Sequence, residues 1–421
     1  MEFKNLFKIE KDKRNIIVTS SILAAALAMG IVAGVQFKQF SDYQTYFYVR
    51  DGIEVQKFSD YSPNLKNTAG DADIYVIKGE KPGPSVLILG GTHPNEPSGQ
   101  LTATLFLENV EVEAGTVYVI TETNKSAYTH SHPLEATAFY YDIKTQNGSR
   151  KFKFGSRATN TNQQWPNPDV YTTQSGQKLS STDTRNLNRS YPGKKNGTYT
   201  EQVAYAVTQL IKQNDIAVTI DLHEASPEYI TINAIVYHQN AASIASTAKM
   251  NVEFSDVQIS VEESPTNLHG LTHRELGDYT DTLALLCETS NAAQGKIRGA
   301  FTEDLIVTGK DKFYDKADQL GIIYAAPVPM AERVARHTLT ICEILRAYNE
   351  ELSYGEYGDL GTFLDGKRLE QGAFAINLNG YNLLTEFDDG YDESKNISKI
   401  YDDIMKNGVG YYLADQPDNY K

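Results

Sequence analysis

The sequence predicts an α/β fold: a mostly parallel or mixed sheet flanked by helices, with an N-terminal transmembrane helix and a small C-terminal β-containing appendage. Three observations predict it. Continuous apolar runs of the kind that form strands buried on both faces, at 86–89, 216–222 and 283–287, alternate with amphipathic helical stretches. Residues 16–37 are twenty-two residues without a charge, long enough at roughly 1.5 Å per residue to cross a bilayer core. Beyond Ser353 the composition turns to Gly, Asp, Tyr and Asn around short apolar pieces such as AFAINL.

Taken in order, residues 1–15 carry Lys4, Lys8, Lys11, Lys13 and Arg14 against Glu2, Glu10 and Asp12. A basic flank stays in the cytoplasm, so a single-pass anchor at 16–37 would leave the rest of the chain outside the cell membrane. A cleavable signal peptide is the competing reading, but the apolar run exceeds the usual length and lacks a clear small-x-small site. Residues 38–70 read as a polar, aromatic spacer. The main domain spans 71–352, with strands at 73–81 and 86–89 and a helix at 98–108 that Ser98 could cap. A second helix at 200–213 carries Val203, Val207, Leu210 and Ile211 on one stripe, and a third at 328–352 carries Val334, Leu339, Ile341 and Leu345. Residues 353–421 form the appendage.

The net charge is −15, and the first fourteen residues carry five basic against three acidic side chains, which leaves −17 on the remainder. Such a surface argues against nucleic acid as a partner. Cys287 and Cys342 are the only cysteines, so no disulfide framework holds the fold.

Four motifs carry chemistry. VLILGGTHPNEPSG runs from an apolar strand through Gly90-Gly91 to His93 and Glu96. They can supply two of the three protein ligands that a hydrolytic zinc needs, with one position left open, or play a structural or surface role. The same spacing recurs at His132 and Glu135, but in a polar loop well past its strand. IAVTIDLHE ends a second strand in His223, a third ligand or a simple strand cap, with Asp221 able to hold its other ring nitrogen. RNLNRSYPG gathers Arg185, Asn186, Asn188 and Arg189, which suits either a solvated loop or a carboxylate-binding pocket, since arginine grips a carboxylate with a planar fork. LALLCETS places Glu288 at the end of a third apolar strand, either on the surface or beside a metal as a base. Tyr279 and Arg298 flank that strand and read as ordinary surface residues or, less readily, as part of a pocket lining.

The order HPNEP, NLNR, DLHE and late Glu resembles the zinc carboxypeptidase superfamily, and more closely its succinylglutamate desuccinylase/aspartoacylase branch, over about residues 70–350. The resemblance implies one zinc per chain on His93, Glu96 and His223, a substrate carboxylate held by Asn188 and Arg189, and Glu288 as general base. It also implies an arginine that polarises the scissile carbonyl, with Arg157 in RATN the first candidate and Arg185 the alternative. Two positions depart from the pattern: Pro94 stands where the family has glycine, and Asn186 where it has aspartate. An insertion, Thr161 to Thr184, separates RATN from NLNR and contains the only tryptophan, Trp165. A loop of that length suggests a substrate-selecting rim. The expected activity is hydrolysis of an amide or peptide bond beside a free carboxylate. An exterior location favours peptides, cell-wall peptides included, as the partner, while the motif spelling favours N-acyl amino acids. A non-catalytic zinc- or ligand-binding surface module is the alternative in another class.

Overall fold

The computed structural model describes residues 3–131, 137–322, 324–356 and 366–420, which divide into two compact units, Met1–Gln44 and Thr45–Lys421. The first unit is one helix, α1 (Phe3–Asp42). Within it Asp12–Asp42 is long and apolar enough to cross a membrane, and a signal sequence has the same length and composition. Ile16, Ile22, Leu27 and Ile31 are exposed along it.

The second unit is built on a ten-stranded mixed sheet. Its strands are β1 (Glu54–Lys57), β2 (Asp73–Lys78), β3 (Lys81–Leu89), β4 (Val110–Ile120) and β5 (Val218–Ala225). They continue with β6 (Ala234–Tyr237), β7 (Ser260–Glu263), β8 (Leu283–Ser290), β9 (Ala375–Leu378) and β10 (Tyr381–Asn382). The order is β1-β2-β4-β3-β5-β8-β6-β7, with β9 on the free stretch of β4 and β10 on β9. The four central strands β4, β3, β5 and β8 run parallel. The expected spacer therefore supplies an edge strand, and residues 375–382 extend the same sheet as the residues expected to form the main domain.

Alternation along the central strands sorts two cores, one per face. Val86 and Ile88 of β3 join Val218, Ile220, Leu222, Leu285 and Cys287 on one face. That face is covered by α2 (Pro97–Asn109), α4 (Ala242–Phe254), α6 (Met330–Glu356) and α7 (Ile400–Asn407). Leu87 and Leu89 point the other way, toward α3 (Tyr199–Gln213) and Leu276 of α5 (Thr272–Tyr279). Both cysteines are buried and free.

Helix ends show which side chains are spoken for. α3 begins with a capping box: Thr198 accepts from the Glu201 backbone N–H at 3.3 Å, and Glu201 accepts from the Thr198 N–H at 2.8 Å. Ser98, expected as the cap of α2, lies inside that helix; the cap residue is Glu96, whose side chain makes no cap bond. Its carboxylate is committed elsewhere.

Candidate metal centre

Three parallel strands, β3, β5 and β8, end at one edge of the sheet, and the site is assembled from their last residues and the turn after β3. Beyond Leu89 the chain turns through Gly90-Gly91. Gly91 has φ +69°, and a Cβ there would stand 2.4 Å from the Tyr128 hydroxyl. Only glycine fits that turn, which delivers His93, and Glu96 comes next where α2 begins. In register, His223 of β5 lies beside Glu288 of β8, and Asp221 beside Leu89 of β3. Period two puts Asp221, His223 and Glu288 on the face that carries α3 and α5.

His93, Glu96 and His223 offer ligand atoms that all lie within 4.8 Å of one another, and all three residues are buried. Both imidazoles aim Nδ1 at the Glu96 carboxylate, His93 at 2.9 Å on Oε1 and His223 at 2.8 Å on Oε2. Each Nε2 is tied on the far side, His93 to Asn186 Oδ1 and His223 to Asp221 Oδ2, both at 2.8 Å. The Asn186 oxygen also accepts the Asn188 backbone N–H at 3.0 Å. That bond identifies it as the oxygen, so His93 must donate from Nε2 and keeps an Nδ1 lone pair facing inward. Asp221 is held in turn by Thr92 at 2.7 Å and Thr272 at 2.5 Å. Two inward Nδ1 atoms and a carboxylate, each outer nitrogen anchored, fit the borderline N/O donor set and supporting bonds of a hydrolytic zinc.

Burial and neighbouring charges set the protonation states. Burial, helped by the nearby Arg157 guanidinium, holds His93 down at about 4, in the neutral form a ligand requires. Burial works against charge on His223, but the flanking Asp221 and Glu96 carboxylates prevail and raise its pKa. Glu96 is held well below the usual carboxylate range, since the two imidazoles outweigh its own burial. Glu288 is pushed up to about 8 by burial, with His223 pulling down and Glu96 pushing up. Its Oε2 is buried without a hydrogen-bond partner among the described residues. A cation beside it would favour the ionised form.

The arginines separate. Arg157 reaches the centre, with Nη1 2.6 Å from Glu96 Oε1, while its side chain stays 43% exposed. Arg185 instead spends its guanidinium on the Thr159 carbonyl and on Asn167 of the insertion. Arg189 donates to the Asn188 carbonyl at 2.5 Å, and among the described residues no carboxylate pairs with it. Burial, then Arg157, pushes its pKa below the ordinary arginine value. Asp183 and Glu96 pull the other way, but neither forms an ion pair with it among the described residues, which suits an incoming anion. The Asn188 side-chain oxygen accepts from the Thr272 N–H at 2.8 Å.

Other sequence candidates fall elsewhere. His132 and Glu135 lie outside the described residues. Tyr279 precedes β8 and lines a cavity of about 310 Å³ with Asp215 and Ile216, at the opposite end of the strands. Arg298 stacks on the Phe301 ring at 4.3 Å. The insertion contains a short hairpin, Tyr171–Thr172 with Lys178–Leu179, and Gln164 ties it to Thr200.

Sequence reasoning missed the support beneath the site. Glu224 donates its backbone N–H to Glu96 Oε2 at 3.1 Å, while its own carboxylate accepts from Arg333 at 2.6 Å and Asn291 at 2.9 Å. His337, one turn along α6 from Arg333, bonds the backbone of His223. The available signal was a run of charged and imidazole side chains on the helix face that also carries Val334 and Ile341.

No known protein family matches the sequence, and no curated protein matches it. Solved structures do. The chain is similar to a succinylglutamate desuccinylase/aspartoacylase from Rhodobacter sphaeroides at 18% identity and TM-score 0.34, covering 57% of this chain and 58% of that one. It is similar to product-bound cell shape determinant Csd4 from Helicobacter pylori at 13% and 0.39, covering 65% and 54%. It is also similar to the ectoine utilization protein EutE (DoeB) from Ruegeria pomeroyi at 17% and 0.34, covering 58% and 62%. The chain thus spans 54–62% of the length of these proteins. The solved structures it is similar to include several of the succinylglutamate desuccinylase/aspartoacylase type.

Proposed function

We propose that this chain is a zinc-dependent hydrolase of the zinc carboxypeptidase kind, in the succinylglutamate desuccinylase/aspartoacylase branch, cleaving an amide or peptide bond beside a free carboxylate. One observation carries the reading: two outward-anchored imidazoles and a carboxylate converge in a buried cluster whose neighbour, Glu288, has a buried and unpartnered oxygen.

His93, Glu96 and His223 would hold one zinc. When bound, zinc supplies a Lewis acid that lowers the pKa of water toward about 7 and polarises a carbonyl. The chain's own residues do the rest. Glu288 Oε2 takes the proton of the attacking water and later returns it to the leaving amine nitrogen. Arg157, half-exposed and within reach of Glu96, donates to the scissile carbonyl oxygen as negative charge develops there. Arg189, without an ion-pair partner among the described residues, holds the free carboxylate of the substrate together with Asn188, which fixes the distance from that carboxylate to the bond cut. Arg185 acts indirectly, tying the insertion to the Thr159 loop.

The location is argued from α1. Its apolar side chains are exposed over a length that suits a bilayer, and the basic flank before it favours the cytoplasmic side. The site would then work outside the membrane, where peptides, cell-wall peptides among them, are the substrate class at hand.

The test uses the full chain, purified in detergent without chelator, with zinc quantified and turnover measured on carboxyl-terminal peptides, wall stem peptides and N-acyl amino acids. About one zinc per chain, with turnover that Glu288→Gln abolishes while zinc is retained, is expected. Zinc bound without turnover by either protein would replace the reading with a binding module. Absence of zinc would remove the metal centre altogether.

A further inference from the structure

A further buried imidazole lies on the same side of the sheet. His273 sits in the first turn of α5, is 3% exposed, and among the described residues neither Nδ1 nor Nε2 has a hydrogen-bond partner. Buried polar atoms are nearly always paired, because leaving one unpaired costs on the order of 1–3 kcal/mol. A ring with both nitrogens unpaired calls for an explanation.

Its surroundings supply one. The preceding residue, Thr272, is fixed twice over: its hydroxyl donates to Asp221 at 2.5 Å, and its backbone N–H donates to Asn188 at 2.8 Å. One anchor supports the ligand His223, and the other belongs to the proposed carboxylate pocket. The backbone before it is equally constrained, since a Cβ on Gly270 would meet the Arg189 carbonyl at 2.4 Å. The His273 ring thus lies within electrostatic reach of His223, Asp221, Arg189 and Arg274. Burial, then His223, drives its pKa down to about 3, with Arg274 and Arg189 acting in the same direction and Asp221 against. Burial favours the neutral ring. It offers one donor and one acceptor.

We propose that His273 is a specificity residue of this site, pairing with a neutral polar group, an amide or a hydroxyl, that the substrate carries close to the carboxylate held by Arg189. The inference rests on the carboxylate-binding reading above and narrows it to substrates with one anionic group and one neutral hydrogen-bonding group nearby. A site built to bond a polar group rejects the analogue that lacks it strongly, because the buried partner is then left unpaired.

N-acetylasparagine, N-acetylleucine and N-acetylaspartate serve as probes, since their side chains are close in size and differ in polarity and charge. Affinity is measured by calorimetry on the zinc-loaded full chain, and turnover separately. The wild-type protein is expected to favour N-acetylasparagine over each of the other two by tenfold or more. His273→Leu and His273→Phe should bring the asparagine and leucine ligands to parity through KM and affinity, leaving kcat and zinc content unchanged. His273→Gln should restore part of the preference. Equal wild-type affinity for the asparagine and leucine ligands overturns the proposal without any variant, as does a preference that survives in His273→Phe, or no binding of any probe. A binding preference that depends on His273 with no turnover at all would sustain this inference while the hydrolase reading fails.

Discussion

His93 gives its Nε2 hydrogen to the side-chain oxygen of Asn186 at 2.8 Å, whereas His223 gives its own to the carboxylate of Asp221 at the same distance. The two proposed ligands are therefore unequal. A carboxylate behind an imidazole raises its basicity, while an amide only orients it. Asn186→Asp is expected to tighten zinc about tenfold, and Asn186→Leu to loosen it by 10- to 100-fold. Competition against a chelator of known affinity reads both. Equal affinities in all three proteins would mean that the Asn186 bond does not bear on the metal.

Arg157 tests the chemistry separately from the metal. Its side chain is 43% exposed, so Arg157→Met should leave the melting temperature nearly unchanged. Removing a donor aimed at a developing oxyanion typically lowers kcat by about 10²- to 10³-fold. That loss is expected here with zinc content retained, and Arg185→Met should act instead through the insertion, raising KM. A kcat loss confined to Arg185→Met would exchange the two roles.

What the sequence revealed of the site was the part set by strand ends. His93, His223 and Glu288 each close or come just after a continuous apolar run, and buried parallel strands deliver their last residues to one edge. Tyr279 is a surface residue away from the site, and a pocket role there fails because proximity in sequence ignores strand direction. It precedes an eight-residue strand in which Glu288 is the sixth residue, about 17 Å beyond the strand's start at about 3.3 Å per residue. Ser98 was misread because its neighbour Glu96 occupies the cap position with its side chain turned to the imidazoles. Arg333, His337 and His273 could not be read, because their roles depend on which helix lies on which face of the sheet. No local spacing encodes that.

The buried pair beneath the centre gives a stability prediction. Arg333 and Glu224 are both fully buried, 2.6 Å apart. Removing one partner of such a pair leaves a charge in a dry interior and costs about 3–5 kcal/mol. Arg333→Met should therefore lower unfolding free energy by that amount. Arg333→Met with Glu224→Gln should recover most of it, since no lone charge remains. Denaturant titrations of the three proteins decide; additive losses in the double variant would show that the ion pair is not the source.

Glu343 predicts how stability changes with pH away from the centre. Its carboxylate is buried on α6, 2.8 Å from the Arg346 guanidinium. Burial pushes it up to about 7, with Arg346 pulling down and Glu350 pushing up. The unfolded chain titrates near the ordinary value of about 4.3. The folded value is the higher one, so the native state favours the protonated form. Stability from this group is fully present below about pH 4.3 and is lost as pH rises through about 7, a change on the order of 3 kcal/mol. Glu343→Gln has no proton to lose there. Relative to the wild type, the variant should gain about that much between pH 4.5 and 8, read from urea unfolding at each pH; parallel curves would assign the pH dependence to other groups.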